Sequence, residues 1–266
     1  MAARGFNARR HFGPFIGKRL LRLEPAYLAS VALCLGLLYL PSMAPGFQGD
    51  QPDVSIRKLL LHVAYLNAIL DEGWLNPVYW TLAIEFQYYL MIALVFPLLS
   101  SNNSTTRKVC LVGFIALCAA GIGKNFLPSW TSLFACGIIP RWLHSKWISL
   151  PWYFVLLAFT VLVTMYFKGA PIAITGLLTS LVIVFIKTPK STAVFWVGAL
   201  SYSTYLLHVP IGGRVMNLAG RLEDGVLRDV LALAVAVLVS LAAAFVWYLV
   251  FERPSQLASS RIRYRE

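Results

Sequence analysis

Apolar residues gather in runs near 25 to 41, 77 to 99, 109 to 124, 129 to 142, 151 to 167, 171 to 187, 193 to 212 and 229 to 251, separated by charged or Pro- and Gly-containing breaks. A straight helix needs roughly 17 or more apolar residues to cross a bilayer. The pattern therefore predicts an all-α, polytopic transmembrane helix bundle with about eight spans. The run at 129 to 142 is short for a crossing and is expected to be tilted, re-entrant or merged with a neighbour. This divides the chain into a basic N-terminal segment, 1–24, one membrane domain, 25–252, and a basic tail, 253–266. No stretch is left for a second, soluble domain.

Composition agrees with this reading. The chain is 59% hydrophobic and 13% charged, with a mean hydropathy of +0.70, whereas soluble domains carry about 25% charged residues. A net charge of +12 would suggest nucleic acid on a soluble chain, but here its placement matters more than its total. With the N-terminus inside, the inner segments hold most of the 23 Lys and Arg residues, among them Lys18, Arg19, Arg22, Arg107, Lys108, Arg141, Lys187 and Arg253. The outer segments hold Arg57, Lys58, Lys124, Lys168, Arg214, Arg221 and Arg228, balanced by seven acids, Asp50, Asp53, Asp71, Glu72, Glu223, Asp224 and Asp229. Positive inside and neutral outside is the signature of both termini in the cytoplasm. The partner implied is membrane lipid, not nucleic acid. The first 24 residues are basic and broken by Gly13, Pro14 and Gly17, so they lack the apolar core of a cleavable signal. Cys34, Cys110, Cys118 and Cys136 lie in or beside apolar runs without paired ligand spacing and read as core thiols, with no metal site.

Glu85 is the one acid this scheme places within a span. A carboxylate there costs about 2.5 to 3.5 kcal/mol and usually faces a bundle interior or cavity, which points to an acid, a base or a substrate partner; a structural ion pair or a wet interfacial position is the plainer reading. On a helix, Thr81, Leu82, Tyr88 and Tyr89 surround it. His208 closes the run Ser201 to His208 just before Pro210 and is placed to shuttle protons, with the hydroxyls of Tyr202, Ser203 and Tyr205 nearby; alone, it reads as a solvated interfacial side chain. His11, His62 and His144 fall in predicted loops or at their edges. Arg19 and Arg22, three apart, share a helix face and could grip one phosphate, although anchoring to anionic lipid explains them equally. The tryptophans fall mostly at span ends, as an interfacial belt would place them. Glu252-Arg253-Pro254 reads as a helix stop with a local ion pair.

Four segments, in order, resemble the acyltransferase-3 family of integral membrane acyltransferases: Phe15 to Tyr27 with Arg19 and Arg22, Tyr79 to Tyr89 with Trp80 and Glu85, Gly198 to His208, and Tyr248 to Pro254. The resemblance implies transfer of an acyl group, often acetyl, from a coenzyme A thioester on the inner side to a hydroxyl of a sugar or other cell-envelope acceptor, in a bacterial inner membrane. Acyl-coenzyme A would be a co-substrate, with no permanently bound cofactor. Arg19 and Arg22 would belong to the donor site, Glu85 and His208 to the catalytic set, and Trp80, Tyr88 and Tyr202 to the substrate site. Family members carry further spans ahead of this region, the first with an arginine followed a few turns later by a histidine that looks like the base for the acceptor hydroxyl. The expectation is that Met1 is an internal start or that this protein lacks that base. No serine or cysteine sits beside a base at a recognisable spacing, so direct attack on the thioester is expected, not an acyl-enzyme. Two other readings stay open, a transporter in which Glu85 couples to substrate, and an inactive truncated homologue; no inverted repeat supports the first.

Overall fold

The structure is a computed structural model and describes residues 8–43, 52–123, 125–187 and 191–262, with only the backbone at 8–10. Of the charges sorted above, Asp50, Lys124 and Lys190 lie outside the described residues, as do Arg4, Arg263, Arg265 and Glu266. The described residues form eleven helices and no strand: α1 Ala8–Ser42, α2 Ile56–Ala64, α3 Tyr79–Leu99, α4 Ser104–Ala116, α5 Thr131–His144, α6 Leu150–Lys168, α7 Ala170–Phe185, α8 Thr192–Leu207, α9 Gly213–Ala219, α10 Val226–Trp247 and α11 Arg253–Ser260. Side-chain oxygens of Ser55, Asn103 and Ser191 cap α2, α4 and α8 by accepting backbone N–H groups, which satisfies donors the first turn leaves open. One π-turn, His208–Gly212, joins α8 to α9, and a second, Tyr248–Glu252, joins α10 to α11.

Five helices are long and apolar enough to cross a membrane: His11–Ser42, Tyr79–Leu99, Leu150–Lys168, Thr192–Ala219 and Val226–Ser260. The protein is a membrane protein on this evidence, but eight crossings are not reached among the described residues. The 109 to 124 run yields a 13-residue α4 that ends in a tight turn at Gly121, whose φ is +65°. The 129 to 142 run becomes the 14-residue α5, and 171 to 187 the 16-residue α7. All three fall short of the roughly 17 residues a straight crossing requires. The N-terminal segment also differs from expectation. α1 runs unbroken through Gly13, Pro14, Gly17 and Pro25; prolines are tolerated within membrane helices. In the turn around Pro25, Tyr202 Oη donates to the Leu23 carbonyl at 3.1 Å and Trp247 Nε1 to the Ala26 carbonyl at 3.2 Å.

The chain divides into two compact units, one holding residues 84–189 with the start of the chain, the other holding 13–83 and 190–266. In the first, α5 is the core helix. Its Ala135, Ile139 and Trp142 are buried with Leu111, Phe114, Ile115, Tyr153 and Leu157 from α4 and α6. Hydroxyls stitch the helices together: Thr164 donates to Ser132 at 2.9 Å and Tyr153 meets Ser180 at 3.1 Å. Small and hydroxylated residues face inward while Leu162, Ile174 and Leu178 face outward, the inversion expected when lipid is the solvent. At Gly176, α7 packs tightly against α5 side chains. A Cβ there would lie 2.9 Å from Leu133 Cδ1 and 3.2 Å from Cys136 Sγ.

In the second unit the connection from α1 to α3, expected to be an external loop, turns back along α1. Val54 N–H donates to Tyr39 Oη at 3.3 Å, Tyr27 Oη donates to the His62 carbonyl at 3.1 Å, and Tyr65 is hydrogen-bonded to Glu24. From Tyr39 to Glu24 is about 22 Å of helix at ~1.5 Å per residue, so this segment descends well into the unit.

Replacing Gly176 by leucine is expected to destabilise the first unit by about 1–3 kcal/mol through overpacking, with alanine costing less because the Leu133 tip can move. Thermal unfolding in detergent compares the two variants with the parent.

Candidate functional site

The sequence places Tyr202 far from Arg19 and Arg22; the second unit assembles groups around Arg22 and Tyr202. α8 lies against α1 through the Tyr202–Leu23 hydrogen bond. One residue on, Ser203 Oγ donates to Glu252 Oε2 at 2.6 Å, and Gln256 Nε2 donates to Glu252 Oε1 at 2.9 Å. Glu252 is 3% exposed, and Arg22 is the cation whose field reaches it. The expected ion pair with Arg253 is replaced by this arrangement, because the π-turn at Tyr248–Glu252 carries the carboxylate inward toward α8 while Arg253 stays exposed. A buried carboxylate is tolerable only when donors satisfy both oxygens, and Ser203 and Gln256 do so. Arg19, on the preceding turn of α1, has its guanidinium over the Phe15 ring at 5.5 Å.

Beside this cluster, the returning segment builds a polar and aromatic wall on α1. Tyr79 Oη is 2.7 Å from Ser30 Oγ and 3.5 Å from Cys34 Sγ, and the Tyr27 ring stacks on Tyr65 with centroids 4.9 Å apart. His62 is fully buried. Its Nε2 accepts the Leu75 N–H at 3.0 Å, which requires the proton to sit on Nδ1, and Nδ1 faces the Lys58 carbonyl at 2.8 Å. Both ring nitrogens therefore serve the backbone. This is a structural histidine that ties α2 to the approach to α3, an assignment the loop-edge reading of the sequence missed. Asn76 Nδ2 extends the same wall to the Leu206 carbonyl of α8 at 3.1 Å. Trp80 is partly buried on the first turn of α3, between the buried Tyr79 and Thr81, which shares hydrogen bonds with Tyr205.

His208 stands apart from the Glu252 cluster. It is exposed at the start of its π-turn, and Nδ1 faces the carbonyls of Thr204 and Tyr205 at 3.2 and 2.9 Å. A nitrogen directed at carbonyl oxygens carries the proton, so in neutral His208 Nε2 keeps the lone pair of a base. The ring borders a cavity of about 390 Å³ whose lining is mainly apolar and includes Val209, Gly212, Met216 and, from α10, Leu233 and Ala236. In the first unit, Glu85 is partly exposed and accepts a hydrogen bond from Tyr89, one turn on. Gln87 Oε1 accepts the Leu127 N–H at 2.9 Å, and Tyr88 stacks flat on Phe134 with centroids 4.2 Å apart. Each of the two units thus carries its own polar groups in an otherwise apolar setting.

The acyltransferase-3 family model, described as an acyltransferase domain, matches residues 5–246. The chain belongs to the acyltransferase-3 family. This match covers Arg19, Arg22, Trp80, Glu85, Tyr88, Tyr202 and His208. No curated protein and no solved structure matches the chain. As an acyltransferase-3 member built from membrane-spanning helices, the protein is an acyltransferase homologue. The roles of individual side chains follow from their chemistry and are taken up below.

Burial holds His62 below its ordinary pKa of 6.5, opposed by its hydrogen bond to the Lys58 carbonyl and assisted by the Lys58 charge. Because the folded pKa is the lower one, the contribution to stability is complete above about pH 6.5 and is lost as pH falls from there through the folded value. His62→Gln is expected to lose about 1–3 kcal/mol at pH 7.5 by leaving backbone groups unpaired, with a shallower decline toward pH 5 than the parent. Melting curves of the two proteins across that range check both points.

Proposed function

We propose that this protein is an integral membrane O-acyltransferase that moves an acyl group, acetyl in the simplest case, from a coenzyme A thioester to a hydroxyl of a sugar or other cell-envelope acceptor. The observation that carries the reading is the family match over residues 5–246; the family resemblance of the arginine pair, the Trp80–Glu85 segment and the Ser201–His208 run supplies the finer content. The positive inner segments support a cell membrane location with both termini in the cytoplasm, the side on which acyl-coenzyme A is available.

Arg19 and Arg22 lie one turn apart at the basic end of the apolar part of α1, and two guanidinium groups at that spacing suit the phosphates of coenzyme A. The acceptor hydroxyl attacks the thioester carbonyl carbon, a base takes its proton, and the C–S bond breaks to release the coenzyme A thiolate, which is then protonated. The family resemblance gives Glu85, held by Tyr89 in the first unit, and His208, with its Nε2 lone pair in the second, each as a candidate for the acid–base role. The same resemblance gives Trp80, Tyr88 and Tyr202 as candidates for contact with substrate.

Membranes holding the full chain are expected to transfer labelled acetyl from acetyl-coenzyme A to envelope carbohydrate. Arg22→Ala is expected to raise the KM for acetyl-coenzyme A about 10- to 100-fold, the loss of one charged hydrogen bond of about 1.5–3 kcal/mol. Glu85→Gln is expected to lower kcat by about 100-fold or more. Inserted protein that labels nothing from this donor overturns the reading.

A further inference from the structure

Glu24 is a carboxylate within α1 to which the reaction above gives no role. One of its oxygens takes the hydrogen bond of Tyr65, while Oε2 is buried and has no hydrogen-bond partner among the described residues. Arg22 does not neutralise it, because residues two apart on a helix do not face each other, and the field of Arg22 acts on Glu252. A buried carboxylate oxygen without a donor is costly, so the position calls for a donor from outside the chain.

The surroundings are built to hold the carboxylate in place. Tyr65 follows α2 in a left-handed backbone conformation, φ +55°, which is strained for an aromatic residue and tends to mark functional positions. Its N–H bonds back to the His62 carbonyl at 3.2 Å, and its ring stacks on Tyr27. Burial, reinforced by the negative field of Glu24 and by Tyr202 and Tyr27, pushes the Tyr65 hydroxyl far above its ordinary pKa. It stays protonated and donates. Tyr27 on α1, Tyr65 on the returning segment and Tyr202 on α8 are the titratable groups whose fields meet here, and all are neutral donors at working pH.

We infer that Glu24 Oε2 binds a hydroxyl of the acceptor, with Tyr65 as the positioning residue that fixes the carboxylate. The ligand class is a neutral alcohol or polyol: a carboxylate oxygen with an open lone pair accepts from an O–H group, and an anion such as acetate brings no donor to it. This site rests on the acyl-transfer reading for its purpose, and its test does not need turnover.

In membranes containing the full-length wild-type chain, dicyclohexylcarbodiimide modifies buried carboxyl groups, and peptide mass spectrometry reads the yield at Glu24, with Glu24→Gln as the blank. Methyl glucoside is the neutral hydroxyl probe and acetate the anionic control. The expected result is at least fivefold slower labelling of Glu24 with methyl glucoside and no protection by acetate. Labelling that methyl glucoside leaves unchanged, or that acetate slows equally, overturns the inference, whether or not the membranes transfer acetyl groups. Where they do, Glu24→Gln is expected to raise the KM for methyl glucoside about tenfold while the KM for acetyl-coenzyme A stays within about twofold. An unchanged acceptor KM overturns it as well, and a chain that protects Glu24 but transfers nothing overturns only the acyl-transfer reading.

Discussion

In a hydrocarbon solvent every polar group must find its partner inside the protein, and here that constraint falls hardest on α1 around Pro25. Near the proline, side chains from elsewhere in the sequence give further donors to carbonyls of α1: Tyr202 of α8 to Leu23 and Trp247 of α10 to Ala26. The exchange also runs outward, since Tyr27 gives its hydroxyl to the His62 carbonyl. Lipid-exposed irregular backbone does not persist at membrane depth, so the segment between α1 and α3 can descend only because His62 pairs with backbone at both ring nitrogens and Asn76 ties it to α8. The polar interior of the second unit follows from these bonds.

That interior holds two sets of polar side chains. Arg22, Ser203, Glu252 and Gln256 form one arrangement and Glu24, Tyr65 and Tyr27 another, with α1 contributing to both. In the proposed reaction a thioester donor needs cationic groups and a hydroxyl acceptor needs an open hydrogen-bond acceptor, and Arg22 and Glu24 of α1 are proposed for these two roles. Glu85 and Tyr89 in the other unit hold a further carboxylate in a fixed hydrogen bond, the condition a reacting group needs if its position is to be reproducible.

Much of this was legible in the sequence, and the failures have physical causes. Apolar runs located α3, α6, α8 and α10 because a continuous hydrocarbon-compatible stretch can only be helical. They predicted about eight spans where five helices of sufficient length are found among the described residues, because hydropathy does not register a left-handed turn at Gly121 or the buried, polar-lined face of α5, where Thr131 and Ser132 lie inside. Gly13, Pro14 and Gly17 looked like breaks because their propensities are measured without the packing that α1 receives. The returning segment escaped notice because its partners are tens of residues away: nothing near His62 in sequence announces Leu75 N–H, and Tyr65 meets Glu24 only in three dimensions. Glu252 was misread for the same reason, since its neighbour in sequence is Arg253 but its neighbours in space are Ser203 and Gln256.

The claim on which the rest depends is that residues 56–75 pack along α1 and do not form an external loop. Amide hydrogen exchange of the full chain in lipid nanodiscs measures this directly, because the backbone groups of an external loop exchange with water in seconds and those buried against α1 do not. The account predicts protection at His62, Tyr65 and Leu75 comparable to that of the α1 amides they pack beside. Exchange of that stretch within seconds, with α1 still protected, would contradict it.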